Sequence, residues 1–169
     1  AKDLPEGEAF YNFRLRTMTT LELTAGQIHQ IGLGEVARIR AEMFEVISRT
    51  DFAQNDSLKS DELFKAFVKY LREDPRFYYT TADELMAGYQ RLAKVIDPEM
   101  SRLFRTLPRL SYGVREMPRF IAMRAPTAYY YPGSLETGVP GWFIANTYRL
   151  DQRPKYEMIS LTLHEAVPG

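Results

Sequence analysis

The residues best suited to chemistry lie together near the carboxyl end of the sequence, where His164 is followed directly by Glu165. The segment around them is apolar on nearly all sides of a helical wheel, which predicts an interior helix. Its apolar positions are Tyr156, Met158, Ile159, Leu161, Leu163, Ala166 and Val167. Burying a glutamate beside a histidine is costly unless each has a partner, and a metal ion with an activated water would satisfy both. The pair is therefore a candidate metal-dependent hydrolytic site.

The same two residues also have a structural interpretation. The standard zinc-protease pattern, His-Glu-x-x-His, places a second imidazole four residues after the first. Here that position is Pro168, which also interrupts the helix. Buried histidines are often simply hydrogen-bonded, so the residues alone favour a structural pair over a metal site.

The elements that must position this pair begin with helices. The spacing of Thr24 and Gln27 matches a capping box, so we expect a helix to begin there. Gly32 and Gly34 weaken it, which predicts a short helix followed by a longer one that ends near Ser48. A polar loop is expected over 51–57.

Two further helical segments follow. Ser60 precedes two acidic residues and predicts a helix start. Thr81 and Glu84 form a second capping box at the head of a long helical pattern, which Pro98 should kink or restart. The expected buried stripe of the first of these helices consists of Leu63, Phe64, Phe67, Tyr70 and Leu71.

From Arg109 onward the sequence becomes β-like. Short aromatic and β-branched runs at 119–123, 128–131 and 142–148 predict strands, and 132–141 predicts a long hairpin loop. Pro154 suits the first turn of a last helix that extends to Val167. The expected class is α+β, mainly α-helical: a helical part (1–107), a small mostly antiparallel β part (108–150) and the start of a metal-motif helix (151–169).

Composition excludes several classes of protein. With 169 residues, 45% of them hydrophobic, the chain is the size of one ordinary domain. Its formal net charge of 0 gives no broad positive field for nucleic acid, and no apolar run approaches the length of a membrane span. The absence of cysteine excludes disulfides and thiolate metal sites. The oligomeric state is left open.

A family resemblance changes the interpretation of the His-Glu pair. The stretch 161–169, LTLHEAVPG, resembles the signature of a bacterial family known as domain of unknown function (DUF) 885, in which histidines follow the glycine. Four further segments resemble that family in the same order, so the resemblance covers essentially the whole chain. They are residues 27–39, 70–78, 107–115 and 141–148.

The resemblance implies a zinc metallopeptidase superfamily of the gluzincin type, whose metal ligands are two histidines and a downstream glutamate. Full family members are much longer, so 1–169 is expected to be one fragment of a larger metallopeptidase-like domain. By position, His164 would be the first zinc ligand and Glu165 the general base that activates water for peptide hydrolysis. We expect zinc in the intact protein, and neither stoichiometric zinc nor activity in the fragment. The alternative is a non-catalytic peptide-binding or structural module on the same scaffold.

The other candidate residues have weaker support from the sequence. In that superfamily a strand beside the metal helix pairs with an extended peptide substrate, which makes Asn146 and Tyr148 candidate substrate-binding residues; a purely structural strand is the favoured alternative. His29 is expected to make a structural hydrogen bond. At least one of Tyr129, Tyr130 and Tyr131 should pack in the core, because alternate side chains of a strand face opposite ways. Family members are often exported, which favours the periplasm over the cytoplasm.

Overall fold

A computed structural model of the chain describes residues 3–54 and 60–166, and the chain divides into two units, Ala1–Phe67 and Val68–Gly169. The first unit contains α1 (Gly7–Thr19), α2 (Ala25–Ser48) and most of α3 (Ser60–Glu73). The second contains the end of α3, the helices α4 to α7 and the strands β1 to β3. Within the described ranges, no helix is both long enough and apolar enough to cross a bilayer.

Helix α2 confirms the capping box, since the Thr24 side chain accepts from the Gln27 backbone and the Gln27 side chain accepts from the Thr24 backbone. The predicted break at Gly32 and Gly34 is wrong, because α2 is continuous. Two glycines cost about 1 kcal/mol each against alanine, which 24 residues of helix can absorb. Helix α1 was not assigned from the sequence.

The first unit has a small aromatic core. Ile47 of α2 and Phe67 of α3 are buried, and Phe67 makes an edge contact with Phe52, with ring centroids 5.4 Å apart. Phe52 lies in a 3-10 turn, Asp51–Gln54, where a polar loop was predicted. The rest of that predicted loop, 55–57, lies outside the described residues. Ser60 is the first residue of α3, as the sequence predicts to within one position.

Helix α4 (Ala82–Ile96) begins at the second predicted capping box, formed by Thr81 and Glu84. Hydrogen bonds from the side chain and backbone of Thr80, and from the Thr81 backbone, lower the pKa of the Glu84 carboxyl. The helix ends before Pro98, which lies in a 3-10 turn, and α5 (Met100–Leu103) follows. The predicted restart at Pro98 is therefore confirmed.

The sheet has three strands, β1 (Tyr112–Glu116), β2 (Ala128–Tyr131) and β3 (Gly141–Ala145), in the order β1-β3-β2. Strands β2 and β3 form the predicted antiparallel hairpin, while β1 pairs with β3 in parallel. The sheet is thus mixed rather than mostly antiparallel. The chain is mainly helical, and the predicted α+β class is confirmed.

The run 119–123, predicted as a strand, contains the short helix α6 (Arg119–Ala122) instead. Pro118 precedes it with φ −55°, and the backbone N–H groups of Ile121 and Ala122 bond back to the Pro118 carbonyl. A parallel pair requires a crossover between its strands, and α6 is part of that connection. Non-local topology, rather than local propensity, therefore determines this segment.

Each face of the sheet has its own core. Phe143 and Ala145 of β3 pack on one side with Leu85 and Tyr89 of α4 and with Met158 of α7. Ile144 packs on the other side with Met117 and Ala122. The period-two alternation of β3 therefore buries both of its faces.

The last helix, α7 (Met158–Glu165), follows a 3-10 turn at Lys155–Glu157. Met158 and Thr162 are buried, but Ile159 is 57% exposed and Leu163 42%. Among the described residues the helix is thus buried on one side, and the prediction of an interior helix is wrong for the other. The predicted last residue, Val167, lies outside the described range.

Candidate functional site

His164 and Glu165 are the last two residues of α7. The helix is anchored before them by Met158 and Thr162 and after them by Ala166, all three of which are buried. His164 itself is exposed and Glu165 is half-buried. Neither side chain makes a hydrogen bond or ion pair with another of the described residues, so both are available to an external partner.

The two side chains do not form a metal site by themselves. Neighbouring helical residues project about 100° apart, since an α-helix has about 3.6 residues per turn, so His164 and Glu165 point in different directions. Residues 3–54 and 60–166 contain no group of three or more His, Cys, Asp or Glu side chains that could hold a metal ion. A catalytic zinc needs three protein ligands. His164 could supply one of them, and the described residues do not supply the other two.

Asn146 follows β3 and is 1% exposed. Its side-chain nitrogen donates to the carbonyl oxygens of Ala122 at 2.7 Å and Pro126 at 3.0 Å, and its side-chain oxygen accepts from the Tyr148 backbone at 2.9 Å. These bonds tie the end of β3 to the connection that contains α6. The amide is engaged with the protein's own backbone, and its predicted contact with substrate stays a prediction.

Arg153 extends this network and was not singled out by the sequence. It is 9% exposed, and its Nε donates to the Asn146 carbonyl at 3.0 Å. Burial lowers the pKa of the guanidinium, while the nearby Tyr89, Asp151 and Glu157 raise it. The bond joins the end of β3 to the segment that leads into α7. An arginine before a proline has no distinctive spacing, so the sequence holds no signal for this role.

The strand that the family resemblance associates with substrate pairing, 142–148, has no free edge over residues 142–145. These residues belong to β3, which is the central strand, and both of its edges are occupied by β1 and β2. Backbone pairing with a peptide needs an exposed edge. In the described part of the chain, the sheet offers only the outer edges of β1 and β2.

Tyr148 lines a pocket of about 270 Å³ at the end of the sheet where β1 finishes. The pocket is lined by Ala82, Glu116, Arg119, Ala122, Thr147 and Tyr148. The Thr147 hydroxyl donates to Oε1 of Glu116 at 2.5 Å. Tyr148 is therefore placed where a small ligand could reach it.

A second, more apolar cavity of about 240 Å³ lies at the opposite end of β1, with Ala166 in its wall. Its polar side is already paired, because Asp97 accepts from the Tyr112 hydroxyl at 2.7 Å and from Lys94 at 2.9 Å. Burial, followed by the bond to Asp97, raises the pKa of the Tyr112 hydroxyl. Ala166, which lines this cavity, follows Glu165 directly in the chain.

The remaining candidates are His29 and the three consecutive tyrosines at 129–131. His29 lies exposed on α2 and its side chain makes no hydrogen bond to the described residues, so the expected structural hydrogen bond is wrong. Tyr129 packs against the core that contains Ile144, as expected of at least one of the three consecutive tyrosines. Tyr130 and Tyr131 are 40% and 52% exposed.

Comparison with known proteins identifies relatives. No curated protein matches the chain significantly. A solved structure, that of "the putative lipoprotein from Colwellia psychrerythraea", matches with a TM-score of 0.83 and 30% sequence identity. The match covers 99% of this chain but 28% of that one, so the chain spans little more than a quarter of that relative's length. A family model described as "Bacterial protein of unknown function (DUF885)" matches residues 1–169, and the chain therefore belongs to the DUF885 family.

Proposed function

We propose that this chain is part of a longer zinc-dependent peptidase, in which His164 is one zinc ligand and Glu165 is the general base. The observation that carries the proposal is the placement of an exposed imidazole and an adjacent carboxylate at the end of a helix whose other side is fixed in the core. Neither side chain forms a hydrogen bond with another described residue. His164 would therefore be free to bind zinc, and Glu165 free to accept a proton.

The roles follow from ordinary zinc chemistry. Zinc supplies a Lewis acid that activates water and polarises a peptide carbonyl. His164 would contribute one nitrogen donor, and Glu165, pointing in another direction on the helix, would accept a proton from water rather than bind the ion. Buried contacts of Met158 and Thr162 would hold both residues in place.

The missing ligands have to come from elsewhere. Since residues 3–54 and 60–166 hold no cluster of three donors, two further ligands would come from parts of the longer protein. The Colwellia protein, of which the match covers 28%, supports this because it is a longer protein that contains a similar segment. Because that relative is named as a lipoprotein, we also propose that the present protein is exported.

The test uses the natural full-length protein and a mixed peptide library. Cleavage should be lost on chelation and restored by zinc, and Glu165→Gln should reduce kcat by at least 100-fold, the lower end expected for loss of a general base. The matched control is Glu136→Gln, an exposed glutamate of the hairpin loop, which should leave kcat unchanged.

Two outcomes would contradict the proposal. Full activity in Glu165→Gln would exclude this carboxylate as the base. Peptide binding that is unaffected by chelation and is accompanied by no cleavage would instead support a non-catalytic peptide-binding module.

A further inference from the structure

The pocket that Tyr148 lines also includes residues of opposite charge, Glu116 and Arg119. Glu116 is the last residue of β1, and Arg119 is the first residue of α6, three positions later. Both line the pocket, together with Thr147 and Tyr148. A cationic and an anionic group are therefore held in the wall of one cavity by separate elements of the fold.

The carboxylate is oriented by its neighbour. Oε1 of Glu116 accepts the Thr147 hydroxyl at 2.5 Å, which restrains the side chain and leaves Oε2 without a hydrogen-bond partner among the described residues. A carboxylate has about four lone-pair sites, so Glu116 retains acceptor capacity towards a donor in the cavity.

The guanidinium of Arg119 has no partner among the described residues. The Arg119 side chain makes no ion pair, hydrogen bond or ring contact with the parts of the chain that the structure describes. Two nearby arginines differ from Arg119 in this respect. Arg149 forms an ion pair with Asp151 at 2.7 Å, and the guanidinium carbon of Arg115 lies 4.7 Å from the centroid of the Trp142 ring. A planar guanidinium matches a carboxylate in geometry and can bind it through two parallel hydrogen bonds.

We propose that this pocket binds a zwitterion of one or two amino-acid residues, with Arg119 on its α-carboxylate and Glu116 on its α-ammonium group. The cavity volume of about 270 Å³ lies just below the range of about 300–1,000 Å³ typical of drug-sized ligands, which suits a small molecule of this kind. A ligand with opposite charges at its two ends would match the two charged residues, Glu116 and Arg119, that line the cavity.

The site is separate from the proposed zinc ligand. Glu116 ends β1, whereas the cavity that includes Ala166 in its wall lies at Tyr112, where β1 begins. Four residue steps of parallel strand separate the two ends by about 13 Å, at about 3.3 Å per residue. The inference therefore depends on the pocket's own residues and not on the proposed peptidase activity.

The test is calorimetric titration of the full-length protein, in chelator and in a Glu165→Gln background, with L-alanyl-L-alanine. Parallel titrations use the same dipeptide acetylated at its amino end or amidated at its carboxyl end. Binding should persist without metal, and each blocked dipeptide should bind at least 10-fold more weakly. Arg119→Met should abolish the effect of amidation, and Glu116→Gln that of acetylation.

The matched control is Arg124→Met, which removes an exposed arginine that follows α6 but does not line the pocket; it should leave the dissociation constant unchanged. Unaltered binding in Arg119→Met, or equal affinity for the free and blocked dipeptides, would overturn the proposal. Absence of dipeptide binding would also overturn it, and would leave the zinc proposal standing because the measurement does not depend on cleavage.

Discussion

The side-chain nitrogen of Asn146 donates a 2.7 Å hydrogen bond to the backbone carbonyl of Ala122, 24 residues earlier in the chain. This bond fixes the end of β3 against the crossover that contains α6. Because Arg153 in turn donates to the Asn146 carbonyl, one asparagine connects the sheet, the crossover and the segment before α7.

Asn146→Ala should therefore be strongly destabilising. The change leaves buried backbone groups without partners, each at a cost of about 1–3 kcal/mol, so the free energy of unfolding should fall by at least about 2 kcal/mol. Denaturant titration measures it. Asn12→Ala, at an exposed position of α1, is the control and should change stability by less than about 0.5 kcal/mol. A small loss for Asn146→Ala would show that water replaces the amide.

Phe143 is the centre of the core between the sheet and α4. It is fully buried, and its ring meets that of Tyr89 edge to face, with centroids 5.0 Å apart. Phe143→Ala should cost about 3–5 kcal/mol through lost burial and the cavity left behind. Phe120→Ala, at a phenylalanine that is 89% exposed, should stay within about 0.5 kcal/mol of the parent protein in the same titration. Similar losses of stability in the two variants would show that Phe143 is not the centre of this core.

Local signals in the sequence predicted local structure. The capping boxes at Thr24 and Thr81 and the helix restart at Pro98 were correct, because each depends on residues within four positions of one another. The parallel pairing of β1 with β3 was missed, because its hydrogen bonds join residues about 29 positions apart and the strand sequences carry no mark of direction.

In the candidate site, too, local features could be predicted from the sequence and long-range contacts could not. His164 and Glu165 could be singled out because they are adjacent and lie in an apolar segment. The bond from Arg153 to Asn146, and the meeting of Glu116 with Arg119 and Tyr148 in one pocket, could not be predicted, because they depend on where the crossover places its ends. The exposed side of α7 was missed because an apolar helical wheel does not state which positions the fold covers.

Two glycines should respond in opposite ways to alanine. A Cβ at Gly113 of β1 would lie 2.5 Å from the Trp142 ring, whereas a Cβ at Gly34 of α2 would meet nothing within 4 Å. Gly113→Ala should therefore lower stability by about 1–3 kcal/mol through overpacking. Gly34→Ala should raise it by about 0.5–1 kcal/mol, because alanine is the better helix former. Thermal unfolding of both variants measures the difference, and destabilisation by Gly34→Ala would contradict a continuous, exposed α2 at this position.

Tyr89 should make the protein sensitive to alkali. Burial raises the pKa of its hydroxyl from about 10 to about 12, with a smaller upward effect of Glu157 and an opposing effect of Arg153. Above pH 10 the unfolded chain loses this proton while the folded chain keeps it, so the free energy of unfolding falls by up to about 1.4 kcal/mol per pH unit until the folded hydroxyl also ionises.

Denaturant titrations at intervals from pH 9 to pH 12 measure this slope. Tyr89→Phe keeps the ring against Phe143 but removes the ionisable group, so its stability should decline less steeply with pH than that of the parent protein. Tyr11→Phe, at a tyrosine that is 48% exposed, should leave the slope unaltered. If Tyr89→Phe and the parent protein lose stability in parallel across this range, the Tyr89 hydroxyl is not held protonated by the core, and α4 does not bury Tyr89 against the sheet.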